Sequence, residues 1–543
     1  MKLLVDVFGY LTVLLNGGAL IGQAMAIGSI LFLVLLLRPL QMAAPFAVGA
    51  RRIAWGGAAL MLLCAGLVVA MQAAVLMSVI GVSAGSAFSA PATVASLVQI
   101  SAMMLIVLAL MPRGTPGWVL LGLGAIELAA GTFTSHAAAR LDDRVPLMLA
   151  EGVHQFGVAI WIGGIPAFLF ALARARDGRE AARIGARFSK LSLLGVGSIL
   201  LSGVALAYVL VGSWAALYGT AYGTMLSAKI IMFGGLLSLG AANFLLIRRL
   251  TKNPDLSFNR LRRFAEVEIG VGLTVILTAA SLTSAPPSVY LQNDMVSLHE
   301  IAQRYTPAWP LLTSPDHDSL TLPALQAKLD AEAKADQGKP PPAFVPGDGD
   351  IAARNASDIA WSEYNHHWAG IFVVLIGFFA LLSQAGLRWA RHWPVLFFGL
   401  AVFLFFRSDP ETWPMGQISF WASMRDVEVL QHRFFVLLLV GFAFFEWRVR
   451  AGKWAGTKYA LVFPILTAVG AAVLLTHSHA IANIRDAQLI ELSHTPLALF
   501  GVTAGWARWL ELRLNPPGSK IAGWVWPVFL MLAGLVLLDY REA

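Results

Sequence analysis

The chain has 543 residues, 58% hydrophobic and 13% charged, with a mean hydropathy of +0.71 and a formal net charge of +8. Soluble domains carry roughly 25% charged residues, so an ordinary soluble globular protein is excluded, and apolar runs that are continuous instead of alternating exclude a closed β-barrel. The basic residues sit in short loops between apolar runs and call for no nucleic-acid partner, while the lone cysteine, Cys64, excludes an intrachain disulfide and a cysteine-based metal cluster.

The fold class is therefore all-α, a polytopic membrane protein of about fourteen transmembrane helices in two bundles with an extracytoplasmic segment between them. The first bundle, an eight-helix domain over residues 1–284, has predicted spans at roughly 12–38, 53–78, 93–112, 117–139, 145–173, 188–213, 225–247 and 265–284. The opening "MKLLVDVFGYLTVLLNGG" lacks a small-residue cleavage site and carries an aspartate, so it is read as retained. Residues 285–362 form a polar linker or cap, in which "SLHEIAQRY" and "LPALQAKLDAEAKA" are amphipathic and the Pro/Gly-rich middle argues against an independent core. The second bundle, residues 363–543, has predicted spans at roughly 364–387, 392–407, 431–448, 458–479, 488–510 and 521–539.

Loop charge sets the orientation. Arg38, Arg51 and Arg52, the 174–190 and 247–263 loops, Arg388 and Arg391, the 448–458 loop and the 508–520 loop fall in alternate connections. Those connections are expected to be cytoplasmic, which puts both termini and the 285–362 segment outside. The expected location is the bacterial inner membrane, crossed many times, with lipid as the immediate partner.

Eight of the eleven histidines then fall in the outer part of the spans: His136, His154, His366, His367, His432, His477, His479 and His494. His392 lies at an inner helix end, and His299 and His317 in the exterior segment. For any single residue, contact with headgroups and water is sufficient explanation. The asymmetry of the set is harder to explain that way, because polar groups in membrane helices mark ligand or ion pathways by default and imidazole is the commonest metal ligand. About a Asp486 turn, His479 and His494 reach similar depth on neighbouring helices at ~1.5 Å per residue. His367, His432, His479 and His494, from four helices, are the preferred inward-facing set. His477 and His479 are about 200° apart on a regular helix, and His366 and His367 about 100°, so neither pair shares one face. Met71, Met77, Met148, Met415 and Met424 near the outer boundary read better as apolar filler than as ligands.

The fifth predicted helix places Glu151, His154 and Trp161 on one face, and its Gly163–Gly164 pair allows a neighbour to approach closely. With "SHA" at His136, "HQFGVAIWIGG" from His154, "RFSKL" entering the sixth helix, "GTAYGTMLSAK" through the seventh and "PP" after the eighth, the sequence resembles the copper resistance protein D family of bacterial inner-membrane proteins, chiefly over 130–287. The resemblance implies copper handling and uptake, with His136 and His154 as candidate copper ligands and Glu151, Trp161 and Lys229 around the path. It departs from the family in lacking a fused copper-binding β-domain and in its six additional helices. His154 also lies about two turns below His136, so one shared ion needs tilt or a broken helix.

No Walker motif, G-x-S-x-G or H-E-x-x-H is present, so no enzyme is expected unless a bound haem confers a redox role. The leading reading is copper transport through outer-face histidines, supplied by a periplasmic copper-binding protein; zinc also suits imidazole. The alternative is a haem b electron-transfer module with axial ligands from His367, His432, His479 and His494. A third reading, an assembly subunit whose histidines only cap helices, remains open. Glu127 and Glu151 could balance a cation or relay protons; the plain alternative is a hydrogen bond to a neighbouring helix, and for Glu127 that is the preferred reading.

Overall fold

The computed structural model describes residues 2–112, 114–140, 142–315, 356–476 and 484–542. Regular structure among the described residues is helical, with no β-strand. Helices satisfy their backbone groups within one segment, which hydrocarbon demands. The chain divides into two compact units, an N-terminal one (11–217 and 225–292) and a C-terminal one (1–10, 218–224 and 293–543).

Helices α1 (Lys2–Leu31), α2 (Ala44–Ser78), α3 (Pro91–Leu110), α4 (Gly117–Thr132), α5 (Arg144–Trp161), α6 (Ile165–Arg174), α7 (Gly178–Val211), α8 (Ala221–Lys252) and α9 (Asn259–Leu282) build the N-terminal unit, apart from the first turns of α1 and α8. Asp177 caps α7 by accepting from the Glu180 amide at 2.8 Å, which satisfies one orphan donor of the first turn. The Gly163–Gly164 pair marks the break between α5 and α6, where Pro166 starts the second piece. A Cβ on Gly163 would lie 1.9 Å from the Ala24 carbonyl oxygen, and one on Gly28 2.2 Å from the Gly163 carbonyl carbon. Backbone meets backbone there, and the expected close approach is made by α1. Below it, Trp161 donates to one oxygen of Glu268 and Asn243 to the other, each at 2.7 Å.

The C-terminal unit contains α10 (Ala356–Gln384), α11 (Leu396–Arg407), α12 (Val427–Arg450), α13 (Val462–Leu474), α14 (Ile484–Arg513) and α15 (Gly518–Leu538). A glycine contact again sets the tightest packing, since a Cβ on Gly370 of α10 would stand 2.7 Å from the Leu538 amide nitrogen. The core is aromatic, with Trp393 5.3 Å from Trp526. Beside it, Glu446 accepts from Arg450 at 2.7 Å and Arg508 at 2.8 Å, while Glu511 accepts from Arg508, Trp526 and Gln384, each at 2.6 Å. Two carboxylates against two guanidinium groups leave no net charge. Removing one member of such a buried set strands its partner, at a cost of about 3–5 kcal/mol.

Eleven helices among the described residues are long and apolar enough to cross a membrane. All fourteen expected spans correspond to helices. The three outside the eleven are the shorter Gly117–Thr132 and Lys458–Leu474 and the long Ile484–Arg513, whose first turns hold Gln488, Glu491, Ser493 and His494. Of the amphipathic stretches between the bundles, "LHEIAQR" forms a helix, Leu298–Arg304, with a capping box between Ser297 and Glu300.

Candidate functional site

Three of the expected histidines converge in the C-terminal unit from three helices, His366 on α10, His432 on α12 and His494 on α14. The rings of His366 and His494 are 5.9 Å apart and nearly perpendicular, and His432 lies within electrostatic range of both. His366 Nδ1 faces the Ser362 carbonyl at 2.8 Å and His494 Nδ1 the Ile490 carbonyl at 3.0 Å. A carbonyl only accepts, so both Nδ1 atoms carry the proton and both Nε2 atoms carry the lone pair. His432 Nδ1 donates to Asp409 Oδ1 at 2.7 Å. Anchoring one ring nitrogen on a carbonyl or carboxylate is how proteins orient imidazole for a metal.

The chain terminus and the segment after Ser297 complete the surroundings. Close packing of α10 on α15 brings Tyr540, just past the end of α15, onto the His366 ring at 3.8 Å in a stacked arrangement. Tyr540 donates its hydroxyl to Glu542 at 2.6 Å, and Ser362 donates to the same carboxylate. Burial, reinforced by that carboxylate, pushes the Tyr540 hydroxyl well above its ordinary range, so it remains a donor. Arg304 donates to the Arg541 carbonyl and Arg541 returns a bond to Thr306, which ties the segment to the tail. Tyr305 donates at 2.5 Å to the Leu492 carbonyl, the acceptor that Pro496 leaves without its helical partner.

On the loop after α11, burial alone would raise the Asp409 carboxyl, but His432, Ser408 and Arg433 outweigh it and hold it below the usual carboxylate range. Glu411, two residues on, is pushed up to about 7 by burial and by Asp409, Asp358 and Glu428.

His367 behaves differently from its neighbour. Its Nδ1 accepts from the Leu311 amide at 2.7 Å and its Nε2 faces the Tyr540 carbonyl at 2.9 Å. Both nitrogens hold backbone in place, so ligation would require breaking one of these bonds. His477 and His479 lie outside the described residues.

In the N-terminal unit, His154 Nδ1 is 3.1 Å from Ser202 Oγ. The Ser202 hydroxyl spends its proton on the Ser198 carbonyl at 2.5 Å, so it accepts from His154 and leaves the lone pair on Nε2. Glu151 and Lys229 act electrostatically on the same ring. His136 begins the short helix His136–Ala139. Among the described residues no three His, Cys, Asp or Glu side chains stand close enough to hold a metal ion together, so neither His136 and His154 nor His366, His432 and His494 form a completed three-ligand site. Sequence reasoning missed Ser362, Asp409, Tyr540 and Glu542. The available signal was polar residues directly after an apolar helix, in "RSDPE" and "LDYREA".

The fold and these sites define a polytopic helical membrane protein, and residues 182–282, from α7 to α9, match the copper resistance protein D family, so the chain carries a domain of that family. The matched span supplies Ser202, Lys229, Asn243 and Glu268. Over 162 residues the chain is 35% identical to the copper transport protein CutJ of Bacillus subtilis (strain 168), a match covering 29% of this chain. The chain spans 29% of that relative's length. No solved structure matches.

Proposed function

We propose that this protein carries copper ions across the bacterial inner membrane, inward, with copper as cargo captured by histidines at the outer face. Supporting the reading are the copper resistance protein D domain at 182–282 and the likeness to a copper transport protein. The observation that carries the capture site is the pair His366 and His494, 5.9 Å apart on separate helices with both Nδ1 atoms anchored on backbone carbonyls. His432, held on Asp409, is the candidate third donor, and three-ligand capture would require the rings to move together around the ion. Imidazole serves both copper oxidation states. His154, oriented by Ser202, is the corresponding donor in the N-terminal unit, with His136 as a second candidate there. A periplasmic copper-binding protein is the natural source of cargo for an outward-facing site.

The test is cellular copper content, measured in a strain lacking the protein and complemented with wild type, with the double variant His366→Ala/His494→Ala, or with His367→Ala. Wild type should raise copper content. The double variant should lose at least about tenfold of the uptake rate at limiting copper, since even outer-shell losses cost metal sites about 10–100-fold. His367→Ala should lower thermal stability while uptake per folded molecule persists. Copper content unchanged by the wild-type protein would sink the proposal. The haem b reading relied on His367, whose nitrogens are both engaged, and on His479, outside the described residues, and it has no support from the comparisons.

A further inference from the structure

The end of the C-terminal unit that carries the histidines is crossed by residues 297–315, a segment that buries an unexpected residue. Leu298, Leu312 and Trp309 lie exposed, the tryptophan at 98%. Arg304, which ends the helix Leu298–Arg304, is the one buried residue of the segment. Burying a guanidinium while a tryptophan stands in the open reverses the usual order. Polar bonds hold the segment down instead. Tyr305 donates to the Leu492 carbonyl at 2.5 Å and the Leu311 amide to His367 at 2.7 Å. The Trp368 indole donates to the Leu312 carbonyl at 3.2 Å, and Arg407 donates to Ser314. An element with so few buried apolar contacts opens at low cost.

Arg304 is seated beside the histidine cluster. It donates to the Arg541 carbonyl, and its guanidinium carbon lies 6.0 Å from the centre of the Tyr540 ring, which stacks on His366. Its charge acts on His494, which is itself buried. Glu542 and Glu363 act on the guanidinium with the opposite sign. The same carboxylates would favour an incoming metal ion, and two cations cannot share them at this range without repulsion. With the arginine seated, no three donors are gathered for a metal ion among the described residues.

We propose that residues 297–315 are a plug and that Arg304 at its tip is a tethered cation standing in for the cargo, so that the seated arginine and bound copper exclude each other. An entering copper(I) ion brings one positive charge and the departing guanidinium removes one. The charge beside Glu542 and Glu363 is therefore unchanged, and no proton or electron is transferred. Unseating the plug breaks the bond to Leu492, two residues before His494, and the bond to His367, next to His366. The rings of His366, His432 and His494 are then released to close on the ion, and imidazole suits copper(I). The inference rests on the copper reading above and adds to it a closed state that the cargo itself opens.

Two measurements on purified full-length protein in detergent test the plug, with copper(I) kept reduced by ascorbate and buffered by a chromogenic copper(I) chelator. The first is affinity. Arg304→Gln should bind copper(I) about tenfold more tightly than wild type, because a unit charge opposing the ion is gone, and Arg304→Lys should return affinity toward wild type. Equal or weaker binding by Arg304→Gln overturns the inference, while copper bound by wild type leaves the transport reading standing. The second measurement needs no variant at this position. Trypsin cuts after arginine, so the Arg304–Tyr305 bond should resist it in the metal-free protein and be cut, as read by fragment mass, once copper(I) is bound. The double variant His366→Ala/His494→Ala should show no copper-dependent cut. Cutting as fast without copper as with it, or no cutting with copper bound, overturns the plug. If neither wild type nor Arg304→Gln binds copper(I), the transport reading fails and the inference with it.

Discussion

His366 and His367 adjoin in sequence and end in different chemistry. The ~100° step between neighbours on a helix turns one ring toward His494 and Tyr540 and the other toward backbone at Leu311 and Tyr540. That histidines gather at helix ends was legible in the sequence, as was the rule that this pair cannot share a face. Which of the two joins the cluster was not, because it depends on the rotation of α10 against α15. Glu411 provides a residue-scale test on the neighbouring loop. Its folded value of about 7 lies above the ordinary carboxylate value, so the folded state binds its proton more tightly. The stability this group contributes is complete below about pH 4.5 and is lost as pH rises through about 7. Thermal unfolding between pH 5 and 8 should therefore show Glu411→Gln gaining stability over wild type toward the alkaline end. A gain of equal size at pH 5 would place the cause elsewhere.

At the scale of elements, apolar runs located the fourteen expected spans but gave few of their partners. Gly370 shows why. A glycine in an apolar run reads the same whether it faces lipid or another backbone, yet here it permits α10 to touch Leu538 and Gly534 of α15. That contact delivers Tyr540 to His366. A methyl at this position has nowhere to go, and overpacking of this kind costs about 1–3 kcal/mol. Gly370→Ala should lower the unfolding temperature and also copper content, because the stack moves. Gly56→Ala on α2, where a Cβ meets nothing within 4 Å, should be neutral or slightly stabilising by helix propensity, roughly 1 kcal/mol at most. Equal losses in the two variants would show that the packing account is wrong. Helix α14 teaches the same lesson: Pro496 leaves the Leu492 carbonyl without a helical donor, and that Tyr305, from the segment between the bundles, fills the gap depends on tertiary packing.

For the whole molecule, the alternation of basic loops predicts that the connections near Ser257 and Arg388 face the cytoplasm and the segment near Tyr290 faces outward. With Cys64, which is buried, replaced by alanine, Ser257→Cys should react with an impermeant maleimide only after the inner membrane is opened. Tyr290→Cys should react in cells whose outer membrane alone is permeable. The reverse pattern would invert the capture site and with it the direction of transport. Composition and run length determined by themselves that the chain is a many-span helical membrane protein, because the free energy of placing about twenty residues in hydrocarbon is a sum over local sequence. Local motifs likewise supported the family resemblance, and residues 182–282 bear it out. Only the tertiary structure decided which polar groups meet: His366 with His494 and Tyr540, Asp409 with His432, Glu127 with the amides of Gln23 and Gln99. Those meetings depend on helix rotation and depth, and these are fixed by contacts between residues far apart in the chain.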